Sequence, residues 1–181
     1  ITTKEQSLVR VLMGGKALIT VRELSELTIT EEPGKPSLVD LAKGKIGLAV
    51  ARARMSPGES IEVRTPNAVA AVRGTVIVVE VEKVADSTDA GPDYRPVRTA
   101  FTGEAVPAAT PSFVTNFHVL KGSIAVTSLG QPGATPVTVG VGLSVSVTGT
   151  SMGQPRTSPP MQQLVKDLKA DPQHKGTPEE T

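Results

Sequence analysis

The sequence predicts an all-β fold: a roll, sandwich or solenoid-like stack of short antiparallel strands, followed by a C-terminal linker and one short helix. Three observations lead there. The apolar residues recur with a period of two, β-branched residues dominate those runs, and turn-forming pairs punctuate them. A period of two places alternate side chains on one face of a strand, and β-branched side chains favour the pleated backbone.

Taken in order, residues 1–35 read as an N-terminal segment of β character packed on the core. Residues 36–149 form the main β domain. Within it, Ile61-Glu62-Val63-Arg64-Thr65 alternates apolar and polar as a half-buried strand does, and Val137-Thr138-Val139 and Leu143-Ser144-Val145-Ser146-Val147 alternate with small hydroxyl residues. Val76-Ile77-Val78-Val79 is apolar on both faces, which predicts a strand covered on both sides. Turns are signalled at Pro33-Gly34, Lys43-Gly44, Pro57-Gly58, Lys121-Gly122 and Pro132-Gly133.

A weak internal repeat joins two of these turns. Leu41-Ala42-Lys43-Gly44-Lys45-Ile46-Gly47-Leu48 parallels Val119-Leu120-Lys121-Gly122-Ser123-Ile124-Ala125-Val126. Each copy reads as a hairpin turning at Lys-Gly, where glycine can take a positive φ. Further on, Gly58-Glu59-Ser60-Ile61-Glu62-Val63 has its counterpart in Gly142-Leu143-Ser144-Val145-Ser146-Val147. Between the two units, residues 85–111 are rich in Pro, Asp, Thr and Ala with no sustained period, and read as a long surface insertion. Residues 150–181 begin as a proline-stiffened linker. Met161, Leu164, Val165 and Leu168 then fall at i, i+3, i+4 and i+7, the stripe of a short amphipathic helix over 160–169, before a polar tail.

Composition removes several functions. Lys+Arg is 19 and Asp+Glu is 18, a net charge of +1, and the aromatics are one Tyr and three Phe with no Trp. Neither the field nor the stacking platforms of a nucleic-acid binder are present. With no cysteine, disulfides, thiol nucleophiles and Cys-ligated metals are excluded. No apolar run approaches the ~20 residues that span a bilayer. Ile1 in place of Met is read as the product of signal-peptide removal.

Candidate chemistry is sparse. Of the two histidines, His118 sits in a strand and His174 in the tail, neither with the spacing of a triad or a metal site. The expectation is therefore no enzyme, no catalytic residue and no cofactor. Asp86, Asp89 and Asp93 could offer oxygens to calcium, a weak candidate because the spacing departs from the EF-hand loop. Arg52, Arg54, Arg64 and Arg73 cluster in sequence, and Glu59, Glu62, Glu80 and Glu82 in neighbouring strands are expected to pair with them.

Residues 56–75, Ser-Pro-Gly-Glu-Ser-Ile-Glu-Val-Arg-Thr-Pro-Asn-Ala-Val-Ala-Ala-Val-Arg-Gly-Thr, resemble the FecR domain family. The family's pattern is a strand ending in V-x-T-P, a short apolar run, and V-R-G-T leading into the next strand. Val63 to Pro66 and Val72 to Thr75 match it, and Val119 to Val126 match a later V-L-x-G-x-V-x-V strand pair. The resemblance spans about residues 36 to 149. Arg73, Gly74 and Thr75 are read as a structural motif: Gly74 permits a turn or bulge, Arg73 can tie down carbonyls or a carboxylate, and Thr75 can bond locally and open a strand.

The resemblance implies a location in the bacterial periplasm or at the cell surface. In the founding regulators such a domain relays an outer-membrane receptor's signal to a sigma factor, through a transmembrane helix and a cytoplasmic segment that this sequence does not carry. The expectation is therefore a free-standing, exported protein that acts as a protein–protein interaction or structural scaffold subunit of a larger assembly. The alternatives are a periplasmic relay module of FecR type, and a calcium- or polysaccharide-binding module. The expected partners are other envelope proteins or copies of the chain itself, with Met161, Leu164, Val165 and Leu168 docking on a neighbour.

Overall fold

The computed structural model describes residues 1–32, 35–84, 112–131 and 133–158. Thirteen strands form among them: β1 (Val9–Met13), β2 (Ala17–Val21), β3 (Glu26–Thr30), β4 (Ser37–Val50), β5 (Ile61–Arg64), β6 (Ala68–Val72), β7 (Val76–Val84), β8 (Ser112–Lys121), β9 (Ser123–Ser128), β10 (Val137–Gly140), β11 (Leu143–Thr148), β12 (Ser151–Met152) and β13 (Arg156–Thr157). A single 3-10 turn lies at Arg52–Arg54. The fold is all-β, as the alternation predicts.

The strands make one continuous sheet that curls into two layers. One layer runs β3-β4-β5-β6-β9-β10 and the other β1-β2-β4-β7-β8-β11, with β12 and β13 folded back onto β11. Alternate residues of both layers meet in one apolar cluster that includes Ile19, Val39, Leu41, Ile46, Leu48, Ile61, Val63, Ile77, Val79, Phe117 and Val126. Burial of such side chains contributes roughly 1.5–3 kcal/mol each, and with no disulfide this cluster is the main source of stability. Val78 is fully buried yet lies outside the cluster. It faces away from the core and is covered, as expected of a strand apolar on both faces.

Strand β4 belongs to both layers. Its first half pairs with β3 and β5, and its second half with β2 and β7. The layer changes at Lys43-Gly44. The chain does the reverse at Lys121-Gly122, leaving the second layer as β8 and entering the first as β9. The Lys-Gly repeat therefore marks two sandwich corners and not the two hairpins that its local pattern predicts. The strands are also neither all short nor all antiparallel, since β4 has 14 residues and pairs in parallel with β5.

Both corners require glycine. Gly44 has φ +94°, and a Cβ there would meet the Ser25 side chain and lie 2.5 Å from Ser25 Cα. Gly122 has φ +81°, and a Cβ there would strike Thr75 Cγ2.

The opposite tie between layers is polar. Asn67, in the β5–β6 turn, donates from Nδ2 to the carbonyls of Phe113 and Val147, each at 2.9 Å. Its Oδ1 accepts from Thr115 Oγ1 at 2.6 Å. Thr65 Oγ1, 3.1 Å from Thr115 Oγ1, accepts from the Ala68 N–H at 3.1 Å. All three side chains are buried, so each polar atom needs its partner.

Residues 151–157, read from sequence as linker, fold back onto β11 as β12 and β13. The 160–169 helix, the insertion 85–111 and the polar tail lie outside the described residues.

Substitutions at Asn67 and Gly44 test these ties. Asn67→Ala should lower unfolding free energy by about 2–4 kcal/mol in a denaturant titration, and Asn67→Asp at least as much, because a carboxylate would face two carbonyls. Gly44→Ala should cost about 1–3 kcal/mol more than Gly58→Ala. Gly58 has φ +82° but nothing within 4 Å of the added methyl, so its cost is that of the backbone alone.

Candidate functional site

The sequence motif Val72-Arg73-Gly74-Thr75 lies at one end of the sandwich, where β6 turns into β7. Three other pieces of chain meet it. The Val50 N–H donates to the Thr75 carbonyl at 2.9 Å, bringing in the end of β4. The next residue, Ala51, donates to the Lys16 carbonyl at 2.8 Å, which fixes the β1–β2 turn alongside. Arg52, opening the 3-10 turn, has its Cβ 2.5 Å from where a Gly74 Cβ would stand. The Gly122 corner packs on Thr75 from the other side.

This arrangement assigns the motif residues. Thr75 is buried, and its methyl group occupies the space that Gly122 leaves open. Its Oγ1 has no hydrogen-bond partner among the described residues, so the local bond expected of it is not made. Gly74 has φ +73° and forms the turn as expected. Arg73 is exposed and has no hydrogen bond or ion pair among the described residues.

The wider pairing expectation fails in the same way. Arg52, Arg54 and Arg73 are exposed and unpaired among the described residues, as is Arg64 near the opposite end. Two of the glutamates, Glu59 and Glu80, meet other cations. Glu80 lies 3.6 Å from Lys45. Glu59 bonds Lys16, which also lies 3.8 Å from Glu31. The bond to Lys16, with the Ser56 N–H at 2.8 Å, holds the Glu59 carboxyl below its usual range. The same bond raises Lys16, against the opposing effect of burial. The arginines miss these partners because Arg52, Arg54 and Arg73 sit in turns, where the cross-strand rule does not apply.

The end face thus presents Arg52, Arg54, Arg73 and Lys121, all exposed, from the 3-10 turn, the β6–β7 turn and the end of β8. Its glutamate, Glu59, is already engaged by Lys16. Sequence reasoning found three of the four cations but not their convergence with Lys121, which needs the Gly122 corner beside Gly74.

Other features are less suited to a ligand. An open depression of about 330 Å³ on β11–β13 is lined by Ser144, Ser146, Thr148, Ser151, Gln154 and Arg156, without an aromatic face. His118, buried on β8, has Nδ1 3.0 Å from Ser158 Oγ. Burial pushes its pKa below the ordinary value, with Lys45 adding to the shift and Glu80 opposing it. Among the described residues no three His, Asp or Glu side chains gather as a metal site. Asp86, Asp89 and Asp93 lie outside those residues, as do Met161, Leu164, Val165 and Leu168. No helix among the described residues is long and apolar enough to cross a membrane.

Comparison with known proteins adds a family. The sequence model described as FecR protein matches residues 1–91, which takes in β1 to β7 with the Arg73-Gly74-Thr75 turn. The match begins at the first residue, whereas the resemblance read from motifs begins near residue 36. Two crystal structures of a candidate anti-sigma factor from Parabacteroides distasonis, at 1.65 Å and 2.50 Å resolution, are similar to this chain at 13% identity, with TM-scores of 0.64 and 0.63. The matches cover 94% of this chain and 64% of each of those chains, so this chain spans less than two thirds of their length. At that identity the likeness shows the fold. No curated protein matches the chain.

The histidine supplies a pH test. An unfolded chain protonates His118 near pH 6.5, whereas the buried ring resists the proton. Acidification below that value therefore favours the unfolded state, and stability is lost as pH falls. Melting temperature should drop between pH 7.5 and 5.5, and the drop should be smaller in His118→Gln.

Proposed function

The chain belongs to the FecR protein family, and on that premise we propose that it is a signalling module of the bacterial cell envelope that works by binding other proteins and not by catalysis. The family match over β1–β7 is the observation that carries this reading. The structures of like fold, described as a candidate anti-sigma factor, lend it further support. Both favour the relay over the scaffold subunit expected from sequence.

The shape of the domain suits a relay. Its rigid part is a disulfide-free sandwich whose layers are tied at both ends, so a partner bound at one face meets a fixed surface. The exposed features are turns and edge strands. Among the described residues, edge strand β1 pairs with β2 alone and leaves a row of backbone donors and acceptors open. Such an edge is a template for an extended partner segment. The location proposed is the periplasmic side of the envelope, and the receptor and the sigma-side partner would be other proteins of that compartment and its membrane.

Deleting the gene, or overproducing the chain, in the bacterium that encodes it tests the proposal. A relay should change a defined set of transcripts, and native mass measurement should show the protein largely free of stable companions. An unchanged transcript profile together with a fixed-stoichiometry assembly would replace the relay with the scaffold.

A further inference from the structure

Four cations converge on one end of the sandwich, where the nearby carboxylates of Glu59 and Glu31 are taken up by Lys16. Arg52 and Arg54 come from the 3-10 turn, Arg73 from the β6–β7 turn, and Lys121 from the corner where β8 becomes β9. They are neighbours because Arg52 packs over Gly74, and the position beside Lys121, Gly122, abuts Thr75 and the Gly74 carbonyl. All four are exposed and unpaired among the described residues. By contrast, Lys35 is placed against Glu32, Lys43 against Glu26 and Lys45 against Glu80. Like charges gathered on one face repel and weaken the fold, so an arrangement that concentrates them is best explained by an anionic partner.

The rim of the same end is apolar. Leu12 is 69% exposed, Leu18 40% and Val141 61%. Leu12 and Leu18 are cross-strand neighbours leading into the β1–β2 turn, and Val141 is at the tip of the β10–β11 turn, whose Gly142 N–H is held by the Val119 carbonyl at 2.8 Å. The cations and Val141 therefore project from turns and strand ends at this end of the sandwich, and Leu12 and Leu18 stand beside them on the outer face of β1 and β2. The open backbone edges that would align a peptide run along the sides.

We propose that this end of the domain rests on a bilayer surface carrying anionic headgroups. The guanidinium groups of Arg52, Arg54 and Arg73 engage phosphate oxygens, for which a planar fork of donors is well matched. Leu12, Leu18 and Val141 enter the boundary between headgroups and acyl chains, as apolar residues beside a basic surface do. The site stands independently of the relay, since it rests on charge and exposure alone. It sets the orientation of the sandwich, leaning on the membrane toward the outer face of β1 and β2.

Sedimentation of the 181-residue chain with vesicles tests this. Vesicles of phosphatidylglycerol and phosphatidylcholine should bind it, vesicles of phosphatidylcholine alone far less, and added salt should weaken the binding. Each cation near an anionic surface is worth roughly a fivefold gain in partitioning, so Arg52→Gln, Arg54→Gln and Arg73→Gln together should reduce binding roughly a hundredfold. The melting temperature should hold, because the three side chains are exposed. Arg64→Gln, near the other end, should change binding little. The proposal is overturned if anionic vesicles bind no better than neutral ones, or if the triple variant binds like the parent. Tighter binding to polyglutamate than to vesicles would also overturn it, and would assign the patch to an acidic protein segment.

Discussion

Closure of the sandwich depends on two places where the chain leaves one layer for the other. A β-sheet twists but does not fold sharply on itself unless the backbone at the fold is relieved of its side chains. At Gly44 and at Gly122 there is no room for a Cβ and the backbone takes a positive φ. Without those two residues the layers could not share the cluster that contains Val39, Leu41, Ile46 and Leu48. Everything else follows from that geometry. Thr75 fills the gap at Gly122, Arg52 is pressed against Gly74, and the end face acquires its charge.

Asn67 completes the design by a different chemistry. Apolar contact holds the layers together but does not select their relative register, because it is non-directional. The paired donors of one amide, aimed at carbonyls on β8 and β11, do select it. A buried amide satisfied on both sides is tolerated only in one arrangement, since a slip leaves polar atoms without partners. The Thr65-Pro66-Asn67 stretch is thus a register device, and it sits within the part of the sequence that most resembles the family.

What the sequence disclosed and what it hid divide along the range of the interactions. The strands at Ile61–Arg64, Val76–Val84 and Leu143–Thr148 were legible, because alternation is a local consequence of which face is buried. So was the turn at Gly74. The corners were misread as hairpins because Lys-Gly with a positive φ is locally identical in the two cases. Only the partners of the flanking strands tell them apart. The role of Asn67 has no local signature, since its two acceptors lie 46 and 80 positions away in sequence. The arginines were assigned to ion pairs by a rule for strands, although three of them occupy turns. The hydroxyl of Thr75 was given a bond it does not make, because the corner that encloses it brings a methyl-sized space and no acceptor.

The stretch between β7 and β8 also divides the chain into halves that each contribute to both layers. Strands β1 to β7 supply one side of the sandwich, and β8 to β11 extend each layer by two strands, β8 and β11 on β7, and β9 and β10 on β6. During synthesis the first half emerges with β6 and β7 unpaired at their outer edges. Those edges stay open until the chain beyond residue 111 is made. The second half of another molecule offers the same two strands in the same order, and residues 85–111 supply enough chain to cross between neighbours. A connection of that length gives β8 an effective concentration at its own β7 far above that of any neighbouring copy, so closure within one molecule outruns exchange of halves between copies.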